Sequence, residues 1–171
     1  MGFSPLDGLV MGTRCGSVDA SAVTYIGEKE GMTYAELNEM MNKRSGVLGL
    51  TGLSSDMRDI DRAYDEGNPE AILARDMHYR RIKKFVGEYA AEMGGVDLIV
   101  FTGGVGENSS EMRESVCEGL EFMGVHFDKA ANQEARGVNK MLSTPDSKVK
   151  VAMIATNEEL VIATDTYNLV K

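Results

Sequence analysis

Cysteine is scarce in this sequence, with Cys15 and Cys117 the two in 171 residues. They are too few and too far apart for a disulfide framework or a thiolate metal site, so both are expected as reduced, structural thiols with no neighbouring base to activate them. Proline is nearly as rare, at three residues, which excludes collagenous and proline-rich disordered chains. Positive charge is in deficit: 18 Lys and Arg stand against 27 Asp and Glu, a formal net charge of −9. Such a balance opposes non-specific binding to nucleic acid or to an anionic membrane, so neither is an expected partner. Any anionic ligand must be met by local donors. Long hydrophobic runs are missing too, since the strongest lies around Leu98 to Phe101, far below the roughly 20 residues of a membrane helix. No basic-then-apolar leader opens the sequence, and a cytoplasmic location is expected. The two histidines, His78 and His126, have no partners at metal-ligand spacing and read as structural.

Hydrophobic residues at 43% and charged residues at 26% supply a core for a soluble α/β domain spanning residues 1–171. Residues 1 to 18 form a glycine-punctuated approach loop. Asp19 caps a helix to about Lys29, and Thr33 with Glu36 makes a capping box for a helix ending near Lys43. Residues 46 to 53 carry too much glycine for a strand and read as a close-packed connection. Ser54 or Ser55 caps the next helix, to about Glu66, and Asn68-Pro69 restarts the chain as cap and first helical residue. The helix that follows is the longest, with Ile72, Leu73, Met77, Ile82, Phe85, Val86, Tyr89 and Met93 at helical steps as its packing face. Its Arg80, Arg81, Lys83 and Lys84 are expected to be a solvated basic surface. Residues 97 to 102 read as a buried parallel strand, followed by a glycine loop and a helix from about Ser110 to Met123. A second strand, Val149 to Ala155, leads into a final helix from about Asn157 to Val170. A weaker strand is expected near residues 136 to 143. The pattern is a mixed sheet with helices in excess.

Gly103-Gly104-Val105-Gly106-Glu107-Asn108-Ser109 sits between the first strand and its helix. Glycines admit a phosphate close to the backbone, and free N–H groups at a helix start point toward anionic oxygens. The spacing is neither the P-loop lysine motif nor the dinucleotide fingerprint; a ligand-free turn remains the structural alternative. Thr156-Asn157-Glu158-Glu159 lies at the equivalent place after the second strand. Thr156 and Glu159 have capping-box spacing, which leaves Glu158 open to a metal or simply favoured by the helix dipole. Asp56-Met57-Arg58 opens a helix, with first-turn capping as its structural reading. Arg14 lies between Gly12 and Gly16, which leave its guanidinium room to swing toward phosphoryl oxygens, with an ordinary surface-loop arginine as its structural reading.

These segments, together with Met1-Gly2-Phe3-Ser4-Pro5-Leu6-Asp7-Gly8 and the Gly12-Thr13-Arg14 loop, resemble the C-terminal half of the acetate kinase family. Their order and intervals match from end to end. The resemblance implies one lobe of a two-lobed actin-like, ribonuclease-H-like ATPase, with the N-terminal lobe absent. It implies reversible, Mg-ATP-dependent phosphorylation of acetate to acetyl phosphate, with ATP or ADP, acetate or acetyl phosphate and Mg2+ as ligands. A homodimer formed through this lobe is implied as well. Arg14 matches the arginine that stabilises the transferring phosphoryl group, and Asp56, Met57 and Arg58 match the segment that holds the nucleoside. Gly104, Val105, Gly106, Glu107 and Asn108 match the second ATP-binding loop, and Glu158 matches a magnesium ligand. The family carries its catalytic aspartate, a further magnesium ligand, phosphate-facing histidines and another phosphate loop in the N-terminal lobe, so this chain alone is expected to be inactive. Ser17 stands where the family usually has an acid. Propionate or butyrate kinase, or a non-catalytic dimerisation or nucleotide-binding module, are the alternatives.

Overall fold

Side chains that cap helix ends set most of the boundaries in this computed structural model, which describes residues 2–171; Met1, the start of the first motif, lies outside the described residues. The chain divides into two compact units, Met1–Phe85 and Val86–Lys171.

In the first unit, Asp19 accepts from the Ser21 amide at 2.7 Å and opens α1 (Ala20–Lys29). The expected capping box opens α2 (Tyr34–Lys43), with the Glu36 carboxylate accepting from the Thr33 amide at 2.7 Å. Residues 46 to 53 depart from expectation, because Gly46–Thr51 is a short helix, α3, stopped by Gly52 in the left-handed conformation. Gly46 serves a close approach: a Cβ there would lie 2.1 Å from the Met11 carbonyl oxygen. The cap of α4 (Met57–Asp65) is Asp56 and not Ser54 or Ser55. Ser54 instead accepts from the Asp56 amide at 3.0 Å, a turn that leaves the carboxylate facing the first free amide of the helix.

Asn68 and Pro69 begin α5 (Pro69–Glu92) as expected, Asn68 accepting from the Ala71 amide at 2.8 Å. The division between the two units falls inside this helix. Its buried face was misplaced by periodicity. Ala71 and Ala74 are the residues that pack with Val10, Val47 and Ile60, while Leu73, Tyr89 and Met93 are more than half exposed, at 53%, 55% and 65%. Small side chains let the helix axis come close to its neighbours, which turns the larger residues out of that contact.

The second unit holds a three-stranded sheet of β1 (Leu98–Phe101), β2 (Lys140–Met141) and β3 (Lys150–Met153), in the order β1-β3-β2. β1 runs parallel to β3 with Ile99 opposite Val151, and β2 runs antiparallel with Met141 opposite Ala152. The sheet is mixed, as expected. Burial on β1 alternates: Ile99 and Phe101 are buried and Leu98 and Val100 exposed, so the strand is covered on one face instead of two. Residues 103–108, expected as a loop, form α6 (Gly103–Asn108). α7 (Ser110–Cys117) stops short of Met123 because Glu118 already turns out of the helix, with a ψ of 131°, into a turn completed by Gly119 at a φ of +75°, and Glu121–Met123 continues as a separate 3-10 turn. α8 (Lys129–Glu134) and α9 (Glu158–Val170) complete the unit. Every residue of α9 is exposed. No helix among the described residues is long and apolar enough to cross a membrane.

Candidate functional site

Within the first unit, the loop carrying Arg14 is pinned through its backbone. The Cys15 amide donates to the Met41 carbonyl at 3.0 Å, the Ser45 amide to Thr13 at 3.0 Å and the Leu48 amide to Gly12 at 2.9 Å. The Thr13 hydroxyl donates to the Asn42 carbonyl at 2.9 Å. The guanidinium of Arg14 has no such restraint; it meets Met11 Sδ at 3.8 Å and is in no ion pair among the described residues. A rigid loop with an unpaired guanidinium suits an anionic ligand. The flanking glycines do a different job from the one expected. A Cβ on Gly12 would lie 2.6 Å from the Ser55 carbonyl oxygen, so Gly12 lets the Arg14 loop abut the residue that precedes Asp56.

Ser17 donates to Asp7 at 2.7 Å and accepts from the Gly8 amide at 2.8 Å, fastening the loop to residues 7 and 8. Arg81, expected as part of a solvated face, reaches the Ser17 carbonyl at 2.9 Å. Burial pushes the Cys15 thiol above its ordinary value, as befits a thiol without an activating base. His78 is buried and its Nδ1 lies 2.8 Å from the Val10 carbonyl oxygen, a structural contact.

Asp56 both caps α4 and holds Arg58, whose Nε lies 3.0 Å from Oδ1 and whose Nη2 lies 2.5 Å from Oδ2. The guanidinium holds the Asp56 carboxyl down at about 2. The Arg58 side chain is 88% exposed, so this pair is worth little and Arg58 can leave it for a ligand at small cost. Met57 packs on the Val10, Val47 and Ile60 cluster, away from that exposed pair.

Within the second unit, the segments after β1 and β3 lie side by side because the two strands are parallel neighbours. Gly103 has a φ of +72°, a conformation that favours glycine. Gly104 differs: its φ is not positive, and a Cβ there would meet nothing within 4 Å. Neither conformation nor packing in this chain calls for glycine at 104, and the open space over its Cα is available to a ligand. The Glu107 carboxylate bridges the two segments: its Oε1 accepts from the amides of Gly103 and Thr156, both at 2.9 Å, and from the Thr156 hydroxyl at 2.8 Å. These bonds hold its pKa below the ordinary carboxylate value. One amide expected to face a ligand, that of Gly103, is therefore already occupied.

Thr156 does not cap the last helix. Asn157 does, accepting from the Leu160 amide at 3.1 Å, so the Thr156–Glu159 capping box is replaced. Glu158 is the exposed first residue of α9. The described residues contain no group of three or more His, Cys, Asp or Glu that could hold a metal by themselves. A single carboxylate still fits magnesium, which keeps several waters and is usually bound by one or two carboxylates plus substrate phosphates.

Sequence reasoning passed over Arg113 and Asn132. Both are fully buried at 0% exposure, and Arg113 donates to the carbonyls of Gly106 at 2.8 Å and Glu107 at 3.0 Å, bracing α6 from inside. No local signal separates this arginine from an exposed one, because its acceptors are main-chain oxygens of residues 106, 107, 132 and 135 and the Asn132 side chain, most of them far from it in sequence.

The family model described as the Acetokinase family matches residues 1–164. The chain belongs to this family. The acetate kinase of Bacteroides thetaiotaomicron is 56% identical over 171 residues, covering 100% of this chain and 43% of that protein. In structure, the chain is similar to Porphyromonas gingivalis acetate kinase, with a TM-score of 0.94, 51% identity and coverage of 100% of this chain and 43% of the other. A propionate kinase from Francisella tularensis also matches, with a TM-score of 0.85 and 39% identity over 95% of this chain and 41% of the other. The chain thus spans about 43% of the length of the curated relatives it matches. Its mixed sheet with helices in excess is the actin-like α/β fold implied by the acetokinase resemblance.

Proposed function

We propose that this chain is the C-terminal, nucleotide-holding part of an acetate kinase that transfers a phosphoryl group reversibly between ATP and acetate. In the first unit, Arg14 donates to the oxygens of the transferring phosphoryl group, and Asp56, Met57 and Arg58 hold the nucleoside. In the second, the backbone of Gly104, Val105, Gly106, Glu107 and Asn108 receives the nucleotide and Glu158 supplies one magnesium ligand. Bound magnesium would neutralise charge on the phosphate oxygens. The observation that carries the reading is the open space at Gly104, a glycine that nothing in this chain requires. Phosphoryl transfer depends on positioning donor and acceptor together, and the family's remaining catalytic groups lie outside these residues, so the chain alone binds nucleotide weakly and does not turn over.

The test is an ADP titration followed by amide NMR. Shifts are expected at Gly104–Asn108 or Asp56–Arg58 at millimolar ADP; none at several times that level overturns the reading. Gly104→Ala separates function from fold, since it fits sterically and should keep or raise stability by about 0.4–1 kcal/mol while weakening the ADP response. A hydroxamate assay with acetate and Mg-ATP should show no turnover by the chain alone. The propionate kinase similarity supports a second acceptor, and a full-length homologue carrying this lobe, assayed with both acids, decides between them. Cytoplasmic location and self-association through this lobe belong to the same proposal. Exposed Leu73, Met77 and Tyr89 on α5 support the latter, and sedimentation at high micromolar concentration showing a strict monomer would refute it.

A further inference from the structure

We propose that Glu107 is a positioning residue whose carboxylate ties Thr156–Glu158 to Gly103–Asn108, keeping a nucleotide on one segment in register with the ligand-bearing carboxylate on the other. The inference rests on the nucleotide reading above and deepens it.

The argument begins with the strand ladder. The last backbone bond between the two segments is from the Ile154 amide to the Phe101 carbonyl, at 2.9 Å. Beyond it the chains part, one turning into α6 and the other toward α9. Glu107 takes the place of the missing rung. A single oxygen, Oε1, gathers the Gly103 amide on one side and the amide and hydroxyl of Thr156 on the other, at 2.8 to 2.9 Å. A partly exposed glutamate normally samples many rotamers; three donors from segments 49 residues apart hold this one in place.

The strut is braced at its root. Arg113, fully buried, donates to the carbonyls of Gly106 and Glu107, so the backbone that carries the carboxylate is fixed from the core. The other end has little else to hold it. Every residue of α9 is exposed, and among the described residues the bond from the Ala155 amide to Asn139 Oδ1 at 2.9 Å is the other side-chain tie on that approach. The position of Glu158 thus depends on few contacts, of which Glu107 contributes two through Thr156. Loosening them lets Thr156–Glu158 move while the sheet stays intact.

The experiment uses the 171-residue chain with ADP as probe, read by amide NMR on the wild type, Thr156→Val, Thr156→Ser and Glu107→Ala. In the wild type, ADP is expected to shift the amides of both Gly104–Asn108 and Thr156–Glu158. In Thr156→Val the response at 156–158 should be lost while that at 104–108 persists, and Thr156→Ser, which keeps the hydroxyl, should restore it. A response at 156–158 that survives in Thr156→Val overturns the proposal. Unchanged β1 and β3 resonances confirm folding, and a merely stabilising contact would not separate the two responses. Hydrogen exchange on the unliganded chain is the independent arm: the Gly103 and Thr156 amides are expected to be protected in the wild type and to lose protection together in Glu107→Ala, which removes the shared acceptor oxygen. If ADP shifts neither segment of the wild type, the nucleotide reading fails and exchange alone decides the strut, which a freely exchanging wild-type Thr156 amide would refute.

Discussion

Replacing Arg113 should cost more stability than any other single polar substitution in the second unit. Its guanidinium donates to Asn132 Oδ1 at 2.7 Å, to the carbonyls of Gly106 and Glu107 at 2.8 and 3.0 Å, and to the carbonyls of Asn132 and Ala135 at 3.2 and 2.8 Å. No carboxylate is among these partners. Five charge-assisted bonds at roughly 1.5–3 kcal/mol each would sum to about 8–15 kcal/mol if independent, an upper bound because they share one guanidinium. Arg113→Met relieves the desolvation of the buried charge but leaves the oxygens of Gly106, Asn132 and Ala135 each short of a donor, at about 1–3 kcal/mol per unsatisfied group, so the net loss is about 3–5 kcal/mol. Against a total stability of roughly 5–15 kcal/mol, that is enough to unfold the second unit or nearly so. Arg113→Lys keeps the charge but not the planar fork, and an ammonium cannot span Asn132 and Gly106 together, so it should lose about 2–4 kcal/mol. Urea denaturation followed by circular dichroism measures both, and amide NMR localises the loss to residues 86–171. A midpoint for Arg113→Lys equal to that of the wild type would refute the reasoning, because it would mean that charge, and not the shape of the fork, holds α6.

Asn68→Ala removes the cap of α5 and should lower stability by about 1 kcal/mol, visible in a thermal melt; no change would mean that packing alone starts the helix. Burial holds the His78 pKa below its ordinary 6.5, so the native chain binds fewer protons than the unfolded one, and stability should fall as pH drops through 6.5 toward the lower folded value. His78→Gln should flatten that part of the pH–stability curve, and an unchanged slope would point to another group. The Asp56 carboxyl, held at about 2 chiefly by the Arg58 guanidinium and also by the residue 58 amide, should rise toward its ordinary 3.8 in Arg58→Gln, as followed by carbon NMR of the side chain. A midpoint that stays low would assign the effect to the helix amide instead.

Much of the architecture was legible because its determinants are local. Asp19, the Thr33–Glu36 box and Asn68-Pro69 act on amides within three residues, so the first ends of α1, α2 and α5 could be read directly. Where two candidate caps compete, as at Ser54 and Asp56, the outcome depends on a turn that spacing does not reveal. Glycine misled at two places, each time hiding a short helix. Residues 46–51 and 103–108 are helical, because a few glycines cost a short helix little when it packs closely or leaves room above itself. The face of α5 was misread for a related reason: Ala71 and Ala74 fill the contact that larger residues were expected to make.

The sequence by itself determined the first ends of α1, α2 and α5, the parallel pairing of the two apolar runs and membership of the acetokinase family, since these caps, short hydrophobic runs and motif order are all properties of neighbouring residues. Tertiary structure alone decided that Arg113 is core, that Gly104 is free of any structural duty and that Glu107 joins Thr156 across 49 residues. The physical reason is reach: a cap answers to amides a few positions away, whereas the partner of a side chain after a strand depends on which strand the sheet sets beside it, and that choice belongs to the whole chain.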